Sequence, residues 1–353
     1  MYAIDCSVSI LNVEIAMSKK ILILGAGNFG TCLAQHLASK GCDVTIWARN
    51  AKIVFSINSI HKNPVYLTSI ELDKRIRAVE SLEGEDKAFD AVVIAIPTQF
   101  MRGVLEQVKP CLSDQLIVSA AKGIEMKSLE FPLAIIGEVL GKTAEQNAVV
   151  LSGPSFASEV VICQPTAVSL GSYSRSRCYE AQEIFHSPYF RAYTSCDPVG
   201  LETAGALKNV IAIAAGVCLG MGFQQNSQAA LLTRGMAEVT RVGVALGADP
   251  ISFNGLGGIG DLFLTCTSRK SRNFTVGYRL GQGESLEAIM SSMGSVAEGV
   301  TTTKAAQSLV ERLGVSAPII NEVYQVLYQQ KNIVKAVEDL IHRDAKPEID
   351  LPV

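Results

Sequence analysis

Residues 20–30 read Lys-Ile-Leu-Ile-Leu-Gly-Ala-Gly-Asn-Phe-Gly, an apolar run that passes directly into a glycine-rich segment. The apolar run has the length and composition of a buried strand, and the rest has the pattern Gly-x-Gly-x-x-Gly. In this setting we expect Gly25 to make a tight turn, Gly27 to let a pyrophosphate approach the backbone, and Gly30 to let a helix pack on the strand. The segment therefore predicts a dinucleotide-binding strand, turn and helix.

A second segment, residues 255–260 (Gly-Leu-Gly-Gly-Ile-Gly), has the same glycine pattern in a different setting. Asp249-Pro250 and Asn254 precede it, and these residues are typical of turns. A pyrophosphate site needs the preceding strand as well as the glycines. We therefore expect a glycine-rich loop here and not a second nucleotide site.

Apolar runs of strand length alternate with helix-like segments through the first half of the chain, and almost every later segment has a helical pattern. This alternation predicts a doubly wound, mostly parallel sheet of the Rossmann type, followed by an all-helical domain. The change comes at Asp197-Pro198, where Asp can cap a helix and Pro fits its first position. The predicted strands span residues 20–24, 43–47, 91–96, 115–120, 148–151, 167–170 and 191–194, and the main predicted helices span 31–39, 99–108, 198–223, 226–246, 301–313, 318–329 and 332–342.

The chain of 353 residues is long enough for about two domains, each with its own core. The first residues contain Asp5 and Glu14 and lack the cationic start of a targeting signal, so no such signal is expected. Met17 comes just before the first predicted strand and is an alternative first residue. The predicted divisions are an N-terminal extension (1–18), a dinucleotide-binding domain (19–196), a helical substrate domain (197–345) and a tail (346–353).

The composition excludes several classes of protein. The chain is 48% hydrophobic, 18% charged and 6% aromatic, which argues against disorder. Its 31 basic and 34 acidic residues give a formal charge of −3, so no strong field attracts a nucleic acid or an anionic membrane. Any anionic ligand must therefore be held by a local site.

A positive mean hydropathy of +0.27 raises the question of a membrane span. The most apolar run, residues 210–223, is 14 residues long, whereas a helical span needs about 20. We therefore expect a buried helix and no stable membrane insertion. Nine cysteines without a Cys-x-x-Cys pair indicate a reducing, cytoplasmic compartment. The four histidines show no metal-ligand spacing, so no metal site is expected.

The end of the second predicted strand bears on the choice of dinucleotide. NAD-specific sheets offer an acid to the ribose 2′-hydroxyl about twenty residues after the fingerprint. Here the chain reads Trp47-Ala48-Arg49-Asn50. Arg49 can accept a 2′-phosphate or stack on adenine, which favours NADP(H), or the use of both NADP(H) and NAD(H). The alternative is a solvated arginine at the end of a strand.

Lys208 is the best candidate for acid–base chemistry. Its neighbours one helical turn away are all small or apolar: Ala204, Gly205, Ile211 and Ala212. No carboxylate on its own helix can therefore pair with it. Burial on such a face lowers the pKa of a lysine toward the range in which it exchanges protons. The alternative is a lysine that extends into solvent near the domain boundary.

Three further segments could hold an anion. Lys122 follows the strand at 115–120, at the carboxyl edge where open α/β sheets bind ligands. Residues 152–157 (Ser-Gly-Pro-Ser-Phe-Ala) also follow a strand and offer N–H and hydroxyl donors. Residues 271–273 (Ser-Arg-Asn) combine a guanidinium with two side chains that form hydrogen bonds. Each of these segments, taken alone, is also consistent with an ordinary surface.

The motifs GAGNFGT, AAKGIE, SGPSFA, ALKNV, GLGGIGDL, SRNF and VAEG occur in this order between residues 19 and 340. In content, order and spacing they resemble the bacterial NAD(P)-dependent glycerol-3-phosphate dehydrogenases. The resemblance implies a 6-phosphogluconate-dehydrogenase-like fold and hydride transfer between sn-glycerol 3-phosphate and dihydroxyacetone phosphate. It also implies a role in glycerophospholipid synthesis. A homodimer is left open.

Family roles carry over where a motif matches. Lys208 is similar to the family's proton acceptor, and Asp261 to its charged neighbour in the catalytic site. The implied substrate contacts are Lys122, Gly153, Ser155, Lys208, Asp261, Ser271, Arg272 and Asn273. The cofactor contacts, fingerprint included, are Gly25, Gly27, Asn28, Phe29, Gly30, Arg49, Lys122, Ala157, Arg272, Val296 and Glu298. Many members have Ser followed by Tyr or Trp at Asn28-Phe29, and both pairs can form a hydrogen bond and stack.

In the expected reaction, Lys208 takes the proton from the C2 hydroxyl or returns it to the ketone, and Asp261 orients Lys208. Two alternatives need fewer of the motifs. A related NAD(P)-dependent 3-hydroxyacid-type dehydrogenase would keep Lys208 but would not need residues 255–261 or 271–274. A non-catalytic cofactor sensor would need neither Lys208 nor Asp261. The presence of all these groups favours the glycerol-3-phosphate reaction.

Overall fold

The computed structural model describes residues 18–83, 88–293, 297–345 and 347–348. The extension up to Met17, the expected cofactor contact Val296 and most of the predicted tail lie outside these residues. Within the described chain, eight strands form one sheet. The strands are β1 (Lys20–Leu24), β2 (Asp43–Trp47), β3 (Ile76–Val79), β4 (Ala91–Ile94), β5 (Leu116–Ser119), β6 (Val149–Ser152), β7 (Thr166–Gly171) and β8 (Phe190–Ser195).

The order of the strands across the sheet is β3-β2-β1-β4-β5-β6-β7-β8. Neighbouring strands pair in parallel, except that β6 and β7 are antiparallel. The doubly wound, mostly parallel sheet predicted from the sequence is therefore confirmed. The order reverses at β1, because β2 lies on one side of it and β4 on the other. Such a switch point leaves a crevice at the carboxyl ends of the strands, where ligands bind.

The strands at the centre of the sheet are buried on both faces, as their continuous apolar sequences predict. Ile21 to Leu24 in β1 and all four residues of β4 are fully buried. The sequence interpretation missed β3, where buried and exposed residues alternate in the pattern Ile-Arg-Ala-Val. This strand lies at the edge of the sheet, so one side remains in contact with solvent and the apolar run is interrupted.

Seven α-helices connect these strands within the described residues, together with one 3₁₀ turn at Lys109–Cys111. They are α1 (Asn28–Ser39), α2 (Ala51–Ile60), α3 (Thr98–Val108), α4 (Pro132–Leu140), α5 (Lys142–Asn147), α6 (Ala157–Val160) and α7 (Arg175–Phe185). The helix predicted at 31–39 begins three residues earlier, at Asn28, so the fingerprint itself forms its first turn. That early start places the free N–H groups of α1 beside Gly27.

The remainder of the described chain is helical, as predicted. Its helices are α8 (Pro198–Gly220), α9 (Gln225–Ala245), α10 (Asp261–Thr267), α11 (Arg272–Gly281), α12 (Leu286–Ser292), α13 (Glu298–Leu313), α14 (Pro318–Tyr328) and α15 (Ile333–Ile341). Asp197 Oδ1 accepts a hydrogen bond from Gly200 N at 2.9 Å, and Pro198 is the first residue of α8. The proposed cap therefore starts the first of these helices.

Helix α8 lies at the centre of the hydrophobic core of the helical part of the chain. Among the described residues it is the one helix long and apolar enough to cross a membrane, judged by length and composition. Its most apolar window is 78% buried inside the protein, as in a core helix. Two glycines allow close packing on α11, because a Cβ at Gly216 would meet Phe274 O and a Cβ at Gly277 would meet Ile213 O.

The first half of α8 lies against the carboxyl edge of the sheet. A Cβ at Gly205 would stand 3.2 Å from Ser152 Oγ and 3.8 Å from Lys122 Cγ. Because Lys208 follows Gly205 by three residues on the same helix, its side chain lies on the same face. The absence of a side chain at Gly205 thus brings Lys208 toward the crevice of the sheet.

Candidate active site

The fingerprint after β1 has the geometry of a dinucleotide turn. Gly25 has φ +114°, a backbone conformation that favours glycine, and a Cβ there would lie 2.6 Å from Ala95 O. A Cβ at Gly30 would meet Gly25 O, so only glycine allows helix α1 to approach β1 this closely. At Gly27, by contrast, no atom other than those of Gly27 and its chain neighbours lies within 4 Å of the position of a Cβ. That open space lies at the N-terminus of α1, where the free N–H groups favour an anion.

The open position at Gly27 fits the pyrophosphate of a dinucleotide, since the backbone there can be approached closely. Asn28 is exposed at the first position of α1, while the half-buried Phe29 packs against the core. Gly25 N donates a hydrogen bond to Trp47 O at 3.0 Å. This bond fixes the fingerprint next to the end of β2, from which Arg49 projects.

Arg49 lies in a pocket of about 470 Å³ at the carboxyl edge of β2 and β3. Its guanidinium lies over the ring of Phe100 in a cation–π contact, with 5.5 Å between Cζ and the ring centroid. Trp47, Glu80 and Gln99 also line this pocket. The contact places the exposed guanidinium of Arg49 over an aromatic face beside the fingerprint.

Three charged side chains meet where the helices cover the sheet. Lys208 Nζ lies 2.6 Å from Asp261 Oδ1, and Lys122 Nζ lies 2.7 Å from Asp261 Oδ2. Lys208 Nζ also donates a hydrogen bond to Thr265 Oγ1 at 2.8 Å. Asp261 is 2% exposed and the side chain of Lys208 is 9% exposed, so these charges are largely shielded from water. One carboxylate thus binds two ammonium groups in a buried setting.

The burial of this cluster sets its protonation. Burial lowers the pKa of Lys208 from 10.5 to about 8; the charge of Asp261 opposes the shift, and the charge of Lys122 adds to it. Burial alone would raise the pKa of Asp261, but the two lysines hold it below its usual value. Asp261 therefore stays ionised near neutral pH, while Lys208 can take up and release a proton there.

Helix α10 places two of these partners on one face. Asp261 and Thr265 are four residues apart, and Thr265 Oγ1 donates to Asp261 O at 2.6 Å. Thr265 was not singled out from the sequence, although its spacing from Asp261 on a short helix is the signal that could have found it. Its hydroxyl accepts from Lys208 while donating along its own helix, which fixes the direction of the lysine.

The expected substrate contacts of the sheet lie in the loop after β6. Gly153 has φ +136°, and a Cβ there would stand 2.9 Å from Val168 Cα, so glycine is required at this turn. Ser155 Oγ donates to Gly153 O at 2.9 Å, and Ala157 begins the short helix α6. This loop follows β6 as the loop that carries Lys122 follows β5, so both lie at the carboxyl edge of the sheet.

The expected contacts from the helices lie at the start of α11. Ser271 caps this helix, since its Oγ accepts from Phe274 N at 3.2 Å. Asn273 Nδ2 donates to Asn209 Oδ1 at 2.9 Å, and Asn273 Oδ1 accepts from Gly299 N at 2.9 Å. Asn209, the neighbour of Lys208 in ALKNV, was not given a role from the sequence. These two hydrogen bonds connect Asn273 of α11 to α8, the helix that carries Lys208, and to α13.

Arg272 and Glu298 begin α11 and α13, and Glu298 lies in the electrostatic field of Arg272 and of the two lysines. Burial raises the pKa of Glu298, and the positive charges of Arg272, Lys122 and Lys208 oppose the shift. The fields of these cations converge on the same region, as an anionic ligand requires. The structure thus brings together cations from the sheet and from the helices.

Family models match both parts of the chain. The N-terminal model of the NAD-dependent glycerol-3-phosphate dehydrogenases matches residues 20–178, and the C-terminal model matches residues 197–338. The chain belongs to this family. Its cofactor is accordingly NAD(P)(H), and its fold is that of a Rossmann-type domain followed by helices.

Individual relatives agree with this assignment. Proteins named glycerol-3-phosphate dehydrogenase (NAD(P)+) from Leptospira biflexa and Geobacter metallireducens are 47% and 46% identical to this chain. The matches cover 93% and 94% of the chain and 99% of each relative. The crystal structure of glycerol-3-phosphate dehydrogenase from Coxiella burnetii superposes with a TM-score of 0.88 at 32% identity, covering 92% of this chain and 99% of that one.

Proposed function

We propose that this protein interconverts sn-glycerol 3-phosphate and dihydroxyacetone phosphate with NAD(P)(H), and that Lys208 donates and accepts the proton. The observation that carries the proposal is the buried contact of Lys208 and Lys122 with Asp261, at 2.6 and 2.7 Å. An alcohol dehydrogenation needs a group that exchanges a proton near neutral pH and stabilises charge on oxygen. Lys208, whose pKa is lowered to about 8, has both properties.

The dinucleotide supplies the hydride chemistry at C2 of the substrate when it is bound. The open backbone at Gly27 and the N-terminus of α1 would bind its pyrophosphate. Arg49, which lies over Phe100, would bind the adenosine end. Gly25 and Gly30 have an indirect part, because they allow the turn and the close packing that hold the backbone at Gly27 open.

Lys208 would act on the C2 oxygen of the substrate. In oxidation, the neutral amine accepts the hydroxyl proton; in reduction, the ammonium returns it to the developing alkoxide. Asp261 holds Lys208 in one orientation together with Thr265, so the amine needs little reorganisation during the reaction. Lys122 supplies a second positive charge beside the same oxygen.

The remaining expected contacts would bind the rest of the substrate. Its phosphate carries about two negative charges, and a guanidinium binds such a group through paired hydrogen bonds. Arg272 offers that group at the start of α11, with Asn273 next to it. From the sheet, the loop over Gly153 and Ser155 offers backbone N–H groups and a hydroxyl.

Four finer expectations belong to the same proposal. The division into domains at residues 19–196 and 197–345 has its support in the cap at Asp197. A cytoplasmic location has its support in the cysteines, because every cysteine among the described residues is free. A supply of glycerol phosphate for phospholipid synthesis follows from the reaction itself. A homodimer would be tested by size-exclusion chromatography with light scattering.

The oxidation of NADPH or NADH at 340 nm, with dihydroxyacetone phosphate as the oxidant, tests the proposal. We expect turnover with dihydroxyacetone phosphate and none above background with 2-keto acids at the same concentration. Turnover with the 2-keto acids alone would contradict the proposal and favour a hydroxyacid dehydrogenase. Cofactor binding without turnover of either substrate would indicate a cofactor sensor.

A further inference from the structure

We propose that Glu80 determines how this protein chooses between NADP(H) and NAD(H), by opposing Arg49 in the pocket at the ends of β2 and β3. The inference rests on the proposed function, because it assigns this pocket to the adenosine end of the dinucleotide. The sequence offered a basic residue and no acid at the end of β2. The structure adds an acid from the neighbouring strand, which the linear pattern could not indicate.

The strand pairing brings the two residues to one edge. Trp47 and Val79 are partners in the parallel pair of β2 and β3, and Ala48 N donates to Val79 O at 2.9 Å. Arg49 and Glu80 come directly after this last bond, and both line the pocket of about 470 Å³. The position of Glu80 is therefore fixed by backbone pairing rather than by a flexible loop.

Both charged groups are available to a ligand. Arg49 is exposed and lies over Phe100, with 5.5 Å from Cζ to the ring centroid. Glu80 is exposed, and its carboxylate forms no ion pair with any described residue. A carboxylate that is free and faces a pocket can accept hydrogen bonds from a ribose hydroxyl, as the acid of NAD-specific sheets does.

The two groups act in opposite directions on the two dinucleotides. A 2′-phosphate carries nearly two negative charges, which Arg49 attracts and Glu80 repels. The ribose 2′-hydroxyl of NAD(H) can instead donate to the Glu80 carboxylate. A pocket with one charge of each sign therefore accepts both dinucleotides, and Glu80 limits the preference for NADP(H). Specificity of this kind depends on a repulsive element as well as an attractive one.

Calorimetric titration with two fragments tests this inference without turnover. Adenosine 2′,5′-bisphosphate and 5′-AMP differ only in the 2′-phosphate. We expect Glu80→Gln to tighten the binding of the bisphosphate relative to that of 5′-AMP, so that the ratio of the two Kd values changes by about five- to twentyfold. Arg49→Gln should change the ratio in the opposite direction. A ratio that stays within twofold of the wild-type value in Glu80→Gln would overturn the proposal.

Glu106→Gln is the matched control, because Glu106 is an exposed acid on α3 that does not line the pocket. It should leave the ratio of fragment affinities unchanged. An equal change in Glu80→Gln and Glu106→Gln would show a general effect of net charge and would refute a local role. The ratio of kcat/KM for NADPH and NADH should follow the fragment ratio. If the proposed reaction is wrong, the wild-type protein will show no turnover in the assay at 340 nm. The titrations can still be interpreted in that case, because they do not depend on turnover.

Discussion

Residues 25–30 and 255–260 share the pattern Gly-x-Gly-x-x-Gly but have different structures. The first segment follows strand β1 and forms the start of α1, a regular helix. The second follows a short turn at Pro250–Asn254 and forms one distorted turn before α10. In the first, a Cβ at Gly27 would stand in open space; in the second, a Cβ at Gly258 would meet the backbone of Phe253.

The difference lies in what approaches the glycine. At Gly27 the missing side chain leaves room for a ligand, whereas at Gly257 and Gly258 it leaves room for the protein itself. A Cβ at Gly257 would meet Leu201 of α8. The second segment therefore packs close to α8, and the next residue, Asp261, is placed opposite Lys208. In the proposed reaction, the same pattern would serve cofactor binding in one place and the positioning of Asp261 in the other.

Among changes at or beside these two segments, the largest effect is expected from Asp261→Asn, which removes the charge that the second segment positions. Without this carboxylate, Lys208 loses its orientation and a stabilising charge, so kcat should fall by about 10²–10³-fold. Steady-state kinetics with saturating dihydroxyacetone phosphate measures this effect. Glu287→Gln, an exposed acid on α12, is the control and should retain wild-type kcat. A fall in kcat of less than fivefold would show that the reaction does not depend on Asp261.

The next effect is expected from Gly27→Ala, at the open position of the first segment. A methyl group there occupies space that the pyrophosphate needs, so the Kd of the dinucleotide should rise at least about tenfold. The backbone at Gly27 has φ −72°, which alanine adopts readily, so the Tm should stay within about two degrees of the wild-type value. Unchanged cofactor affinity by calorimetry would count against the role of this turn.

The reciprocal result is expected from Gly258→Ala in the second segment. The added methyl group meets backbone atoms that cannot move aside, which should destabilise the fold by about 1–3 kcal/mol. Thermal and urea unfolding measure the change. Because the clash displaces Asp261 and not the fingerprint, kcat should fall while the Kd of the dinucleotide stays within about twofold. Equal stability of Gly258→Ala and the wild type would mean that the two segments do not differ as described.

The smallest effect concerns pH. Oxidation of glycerol phosphate needs neutral Lys208, whose pKa is lowered to about 8, so kcat/KM should rise through about pH 8 and then level off. In the reductive direction it should fall over the same range. The charge of Asp261 raises the pKa of Lys208, so Asp261→Asn should move the inflection to lower pH. An inflection that stays in place would assign the titration to another group.

Local patterns made much of the fold predictable. The apolar run and glycines at residues 20–30 specify β1, the turn and α1, because each glycine has a steric reason within that segment. Asp197-Pro198 marks the start of α8 through a hydrogen bond of short range. Strand β3 escaped prediction because an edge strand of four residues with one solvated side has no continuous apolar run.

Local sequence patterns predicted less of the site than of the fold. Lys208 and Asp261 are 53 residues apart, and Lys122 and Asp261 are 139 apart, so no spacing rule joins them. Only the resemblance to a family placed them in one site. Thr265 was missed because its contact with Lys208 depends on helix packing, and the proposed role of Glu80 was missed because it depends on the pairing of β2 with β3. Residues that act through tertiary contacts leave little trace in a single sequence.

The central claim is that Lys208 exchanges the proton in this reaction. The most direct test is the kcat of Lys208→Ala for the reduction of dihydroxyacetone phosphate, measured together with the Kd of NADPH. We predict that kcat falls by about 10²–10⁴-fold while the Kd stays within about threefold of the wild-type value. Lys335→Ala, an exposed lysine on α15, should match the wild type in both. A kcat of Lys208→Ala within tenfold of the wild type would contradict the claim.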